Sequence, residues 1–313
     1  MGRLFDFMLP DNKSPLTADY TDGLFNFINE ASLLLLVGIT IALIYFAVKY
    51  KRKSEEDKTP YISHNTKLEV TWSVIPLIIV MIVFGWGYKG WLNLKAVPSD
   101  AYEIHATGFK WNWSFSYENG AQALNELHVP KGVPVKVVLK SSDVIHSFFV
   151  PDFRVKQDVL PNRYTYVWFQ AEETGENQIF CTEYCGTDHS GMLAKVIVHE
   201  PAEFEEWLDA NGGELEGSPA EIGEQLVQLQ ACGTCHSNDG STIIGPSFKG
   251  LWGKEESLAD GSTVTVDENY IRESILDPGA KIVEGFSNVM TPYAGRLSDD
   301  DITNIIEYLK TIK

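Results

Sequence analysis

Residues 31–48, ASLLLLVGITIALIYFAV, run for 18 positions without a charge. A helix needs roughly 17–25 apolar residues to cross the hydrocarbon core of a bilayer, so this stretch is long enough to span one. A second apolar run extends from Val70 to Tyr88 and is interrupted only by Pro76. Proline is tolerated in a membrane helix when neighbouring groups satisfy the freed carbonyl. Either run alone could be a buried helix of a soluble core. Two of them on either side of a charged loop favour a transmembrane hairpin. That loop carries Lys49, Lys51, Arg52, Lys53 and Lys58. Short loops rich in Lys and Arg stay on the cytoplasmic side, which places both termini outside. Trp86, Tyr88 and Trp91 cluster where the second helix should leave the bilayer, as interfacial aromatics do. No cleavable leader is recognisable, so the first run would serve as an uncleaved insertion signal.

The remainder is not membrane-like. Only 44% of the 313 residues are hydrophobic, too few for a polytopic membrane protein. The net charge of −18 argues against nucleic acid as a partner, because a polyphosphate backbone requires a positive surface. It suits a soluble acidic face or one that meets a basic partner. Residues 1–23 are polar and rich in turn formers, and read as an irregular arm. From 101 to 200 the runs YEIHATGFKWNWSFSY, VPVKVVLKS, YTYVWFQA, NQIFCTEYC and LAKVIVHE alternate with Gly and Pro, the pattern of a β-sandwich. The stretch Glu200 to Glu224 is acidic, lacks Lys and Arg, and contains Asn211-Gly212-Gly213 and Ser218-Pro219. It reads as a short acidic helix and a flexible linker. A compact helical unit follows. Its last helix is expected within Leu297–Ile312, begun by Ser298 and three Asp, with Ile302, Ile305, Ile306 and Leu309 on one face. The expected division is 1–95 for arm and hairpin, 96–205 for the sandwich, 206–219 for the linker and 220–313 for the helical domain.

The four cysteines fall in two close pairs. The first pair lies in Cys181-Thr-Glu183-Tyr-Cys185-Gly-Thr-Asp-His189-Ser-Gly-Met192, with His146 upstream after a strand that should end near it. Thiolate, thioether and imidazole together select copper. Two thiolates can bridge two copper ions, with His146 and His189 completing one each. Met192 and the backbone carbonyl of Glu183 would be weak outer ligands. A disulfide would leave His189 and Met192 unexplained, and Met is a poor ligand for zinc.

The second pair, Cys232-Gly-Thr-Cys235-His236, is the C-x-x-C-H pattern of c-type haem attachment. Its thiols would add to the haem vinyl groups, and His236 would be the proximal ligand. Met290 is the one Met after it, and lies in Asn288-Val-Met290-Thr-Pro-Tyr293. A lone Met is ordinarily core filler. Here its place in a Thr-Pro loop makes it the candidate sixth ligand, since Met/His ligation raises the potential.

With these motifs in place, residues 20–200 resemble cytochrome c oxidase subunit II. That family has a two-helix hairpin followed by a cupredoxin-like domain with a dinuclear copper site, CuA. The resemblance implies that the carboxylate of Glu183 helps hold a magnesium ion at the contact with subunit I. It also implies that Trp111, in Gly108-Phe-Lys-Trp111-Asn-Trp113-Ser, is the exposed residue that receives electrons. Trp113 reads instead as sandwich packing. Phe109 and Asn112 depart from the His and aromatic residue more usual there. Glu69 would sit at the cytoplasmic mouth of the proton path into subunit I; without the resemblance it is an ordinary solvated residue at a helix end. Residues 220–313 resemble class I cytochrome c, an all-α domain, with Gly245-Pro246 matching the segment that supports the proximal His. The pair of domains resembles the caa-type bacterial oxidases.

The expectation is therefore a subunit II in the bacterial inner membrane, with its redox domains on the outer side. Electrons would pass from an external donor through covalent haem c and CuA to the haem–copper site of subunit I, coupled to proton translocation. Lipid and subunits I and III would be its partners. The alternatives are a donor subunit of a nitric oxide reductase, a non-enzymatic copper-delivery or copper-sensing protein, and a quinol oxidase subunit without copper. The complete ligand set opposes the last, and the haem motif and hairpin oppose copper delivery.

Overall fold

The computed structural model describes residues 4–58, 61–213 and 215–313. Helix α1 (Pro15–Lys49) and helix α2 (Thr66–Lys95) form the expected hairpin. The apolar windows of both helices bury nothing within the chain. A helix hydrophobic all round and unpacked by protein matches a lipid-facing span. The helices are longer than the apolar runs. The expected arm is helical from Pro15 onward, because proline at the first helical position loses no hydrogen bond. The polar first turns of α1 are fixed by the sandwich. Thr17 Oγ1 donates to the Phe153 carbonyl at 2.7 Å, and Arg154 donates from Nε to Asp22 Oδ1 at 2.8 Å and from Nη2 to Oδ2 at 3.1 Å. At the start of α2, Asn65 Oδ1 accepts from Leu68 N and Glu69 Oε1 accepts from Asn65 N, which caps the helix.

Ten strands follow: β1 (Tyr102–Phe109), β2 (Asn112–Ser116), β3 (Gln122–Leu124), β4 (Glu126–Pro130), β5 (Pro134–Ser141), β6 (His146–Val150), β7 (Val155–Val159), β8 (Thr165–Gln170), β9 (Gly175–Cys181) and β10 (Leu193–His199). They make two sheets, ordered β3-β2-β1-β5-β8 and β4-β10-β9-β6-β7. The first long aromatic run is divided, since β1 turns back on β2 with Phe109 opposite Asn112. Alternate residues of β5 point inward, Val135, Val137 and Leu139 among them, as a strand period of two requires. Trp113, Phe115, Phe148, Phe169 and Ile179 are fully buried between the sheets. Helix α3 (Pro201–Asn211) buries Phe204 and Leu208 against this core, so ordered structure attached to the sandwich continues past residue 205. Part of the expected linker is thus helix; Glu214 lies outside the described residues.

The C-terminal unit contains α4 (Pro219–Leu229), a small hairpin of β11 (Glu255–Ser257) and β12 (Thr263–Thr265), α5 (Glu268–Leu276) and α6 (Asp299–Leu309). Its regular structure is helical apart from that hairpin, and long loops connect the helices. Ser298 and Asp301 form a capping box on α6, and Ile302, Ile305, Ile306 and Leu309 are buried, as the sequence indicates. α4 crosses α6 at Gly223, where a Cβ would lie 2.0 Å from the Asn304 carbonyl oxygen. Gly223→Ala should therefore destabilise this unit by about 1–3 kcal/mol through overpacking, despite the ~1 kcal/mol that Ala gains in helix propensity. Thermal unfolding of the full chain, followed by circular dichroism, checks this. An unchanged midpoint would mean the helices can separate without cost.

Candidate metal centre

Two connections at one end of the sandwich, β5–β6 and β9–β10, bring the ligand candidates together. β9 ends on Cys181, the turn after it carries Glu183 and Cys185, and a single helical turn at His189–Gly191 leads to Met192 at the start of β10. His146 is the first residue of β6, not the last of the preceding strand; β5 ends at Ser141 and four loop residues intervene. The two sulfurs, Cys181 Sγ and Cys185 Sγ, are 3.8 Å apart and both thiols are free. His146 Nδ1 lies 3.8 Å from Cys181 Sγ, His189 Nδ1 3.4 Å from Cys185 Sγ, and Met192 Sδ 3.7 Å from Cys185 Sγ. The Glu183 carbonyl oxygen is 3.3 Å from Cys181 Sγ while its carboxylate side chain is exposed. All six expected donors converge. Each cysteine sulfur has an imidazole nitrogen beside it, and His146, Cys181 and Cys185 lie close enough together to hold a metal ion.

Asp143 orders this site. Its Oδ1 sits 2.8 Å from His146 Nε2. A carboxylate only accepts, so Nε2 carries the proton and Nδ1 is left as the ligand atom. Burial alone would raise the Asp143 carboxyl. The His146 hydrogen bond, with N–H donors from Lys110 and Val144, outweighs it and holds the carboxyl below the ordinary range. Burial works against a charged His146, but Asp143 and Cys181 raise its basicity. Burial also opposes the Cys181 thiolate, yet His146 and nearby backbone N–H groups bring it below the ordinary thiol value. Burial and the adjacent Cys181 push Cys185 upward. The second thiolate needs a cation to hold its charge, and a metal ion would supply one.

The second site is a cleft in the C-terminal unit, open at its mouth. Cys232, Cys235 and His236 are on its wall, and Met290 lines it as well. Ile271, Ile275, Val283, Phe286 and Leu297 make the lining apolar. His236 Nδ1 donates to the Pro246 carbonyl at 2.7 Å, which leaves Nε2 free as an axial ligand. Burial pushes the Cys232 thiol up to about 12. A large apolar cleft with two thiols, an oriented imidazole and a thioether fits a planar macrocycle such as haem.

Trp111 differs from expectation. It is 7% exposed rather than open to solvent. It belongs to the buried core of the sandwich, and on one side Phe109, Lys110 and Trp111 also form part of the wall of the C-terminal unit's cleft. On the other side, a Cβ at Gly186 would come within 3.2 Å of Trp111 Nε1, so the ring also abuts the cysteine loop. Gly186 has φ +125°, which glycine alone adopts readily. Trp113 is fully buried, its ring edge-on to His146 at 6.0 Å and to Phe148 at 5.5 Å, which makes it the packing residue anticipated. Glu69 lies in the first turn of α2, beside the basic loop. Sequence reasoning missed Asp143, although a carboxylate three residues before a ligand His is a readable signal for the partner that orients it.

Comparison with known proteins agrees with this arrangement. Residues 3–86 match the family described as cytochrome c oxidase subunit II, transmembrane domain; residues 121–199 match its periplasmic domain, and residues 220–313 match cytochrome c. The chain is 33% identical over 303 residues to cytochrome c oxidase subunit 2 of Alkalihalophilus pseudofirmus, covering 92% of this chain and 86% of that one. It is 31% identical over 240 residues to the alternative cytochrome c oxidase subunit 2 of Bradyrhizobium diazoefficiens, covering 66% and 86%. Among solved structures, the periplasmic domain of subunit II from Bradyrhizobium japonicum matches at 34% identity and a TM-score of 0.36, over 37% of this chain and 96% of that one. The chain therefore belongs to the cytochrome c oxidase subunit II family, in a form that carries a cytochrome c domain at its C-terminal end.

Proposed function

We propose that this chain is the subunit II of a caa-type oxidase, which takes electrons from an external donor into its own c haem and delivers them through CuA to the haem–copper site of subunit I. The carrying observation is the junction at Trp111, which touches the haem cleft and the cysteine loop in one chain. Copper bound here would supply one-electron redox chemistry shared over two metals and two sulfurs. The protein's part is to hold His146, Cys181, the Glu183 carbonyl, Cys185, His189 and Met192 on the rigid ends of strands, which limits reorganisation. His236 and Met290 would ligate the haem, with Cys232 and Cys235 as covalent anchors. The basic loop between α1 and α2 supports a topology with that loop in the cytoplasm and the redox domains on the outer face of the membrane. There the Glu183 carboxylate is free to meet subunit I and a magnesium ion. Glu69, on the cytoplasmic side, would collect protons for translocation.

Three outcomes test this reading. Electron paramagnetic resonance of the oxidised full chain should show one unpaired electron shared equally by two coppers. A single localised copper would remove the dinuclear site from the account. Replacing Cys232 and Cys235 by Ser should abolish covalent haem while the copper signal persists, and Met290→Ala should convert the haem to a five-coordinate, high-spin spectrum. An unchanged spectrum would return Met290 to the role of core filler. For Glu69, Ala and Gln variants of the assembled oxidase separate two roles, since Gln can keep the cap at Asn65 without the charge. Both should slow turnover across pH while electron delivery to copper stays normal. Slowing in the Ala variant alone would reduce Glu69 to a helix cap.

A further inference from the structure

Two side chains of the C-terminal unit cross to the copper domain. Thr291, directly after Met290, is buried and its Oγ1 donates to Asp143 Oδ2 at 3.2 Å. The same oxygen accepts from Lys110 N at 2.8 Å, in the turn that carries Trp111. The other oxygen of Asp143 holds His146. A path of covalent bonds and two hydrogen bonds thus runs from Met290 through Thr291 and Asp143 to His146. Five residues later, Arg296 is fixed in its own domain by Gln230 Oε1 at 2.9 Å and by the Tyr293 ring, 4.7 Å from the guanidinium carbon to the centroid. Its remaining faces reach across the boundary. The guanidinium carbon lies 4.4 Å from the centroid of Phe109, and Nη1 donates to Ser142 Oγ at 3.3 Å. Guanidinium stacking on an aromatic ring is favourable and directional, so the pair fixes orientation as well as proximity.

We propose that Thr291 and Arg296 are positioning residues that seat the haem domain on the copper domain in one geometry, with Asp143 as the acceptor shared by both sides. The inference rests on the reading of the two sites as haem and copper sites. The physical case is one of tether and latch. The linker already holds the two surfaces at a high effective concentration, on the order of millimolar, so a small contact suffices to populate the docked state. What the contact must supply is orientation, because electron tunnelling weakens more steeply across a gap than through bonds. Thr291 serves that purpose by replacing a van der Waals gap with a hydrogen bond beside a proposed haem ligand. Phe109 offers Arg296 a flat ring, a surface that His would make basic and repulsive when protonated.

The test uses the full chain purified with its oxidase partner, loaded with haem and copper. Thr291→Val keeps the shape of the side chain and removes the donor; Thr291→Ser keeps the donor. Ser142→Ala, on the copper side, removes an acceptor of Arg296 without touching the haem domain's interior. Hydrogen–deuterium exchange over residues 108–114 and 141–146 reads docking, and photoinduced electron transfer from haem to copper reads its consequence. Thr291→Val and Ser142→Ala should each speed exchange in both segments and slow electron transfer severalfold, with haem and copper spectra unchanged. Thr291→Ser should restore both toward wild type. Wild-type exchange and rate in Thr291→Val and Ser142→Ala would overturn the proposal, as would faster exchange with an unchanged rate. Failure of the underlying reading would be seen separately, as a missing haem or copper signal in the unmodified chain.

Discussion

One carboxylate governs the geometry at the functional end of this molecule. Asp143 is held by backbone donors at Lys110 and Val144 and fixes the tautomer of His146. Without it the imidazole could rotate or present the wrong nitrogen. The copper ligands would then remain close in space but lose a defined arrangement. A buried carboxylate is costly unless its hydrogen bonds are made, and here they are made by the β1–β2 turn, by its own loop and by the C-terminal unit. Fold, ligand orientation and domain contact therefore depend on the same two oxygens.

Much of this was legible in the sequence because the relevant physics is local. The apolar runs reveal two membrane helices, since length and lack of charge suffice. Cys181 to Met192 lie within twelve residues, and the ends of β9 and β10 need only turn once to assemble them. The capping box at Ser298 and the spacing of Ile302, Ile305, Ile306 and Leu309 gave α6 almost whole. What was not legible depends on contacts distant in sequence. Arg296 stands over Phe109, 187 positions away by subtraction of their numbers, and no local pattern marks either residue. The burial of Trp111 has the same origin. It packs in the core of the sandwich against the cysteine loop and also lines the cleft of the C-terminal unit. The helical start at Pro15 was hidden because residues 15–23 lack an apolar stripe; their order comes from polar anchors to Phe153 and Arg154.

The departures from the common family pattern gain a physical reason in the same way. Phe109 supplies a ring to Arg296, and Asn112 accepts from Asn125 Nδ2 at 2.7 Å inside the domain. Both residues are engaged by contacts inside the chain.

The anchored start of α1 has its own mechanical meaning. Asp22 and Thr17 fasten the helix to the loop at Phe153 and Arg154, next to β6 and β7. The anchored turn joins β6 to β7, and β6 begins at His146, so the first turns of α1 are tied to the strand pair that carries this side chain. Tilting or turning that helix in the membrane would turn the sandwich with it. The height and heading of the cysteine loop are then set by where the lipid grips the apolar turns, so that the membrane itself acts as the reference plane for aligning this subunit with its neighbour.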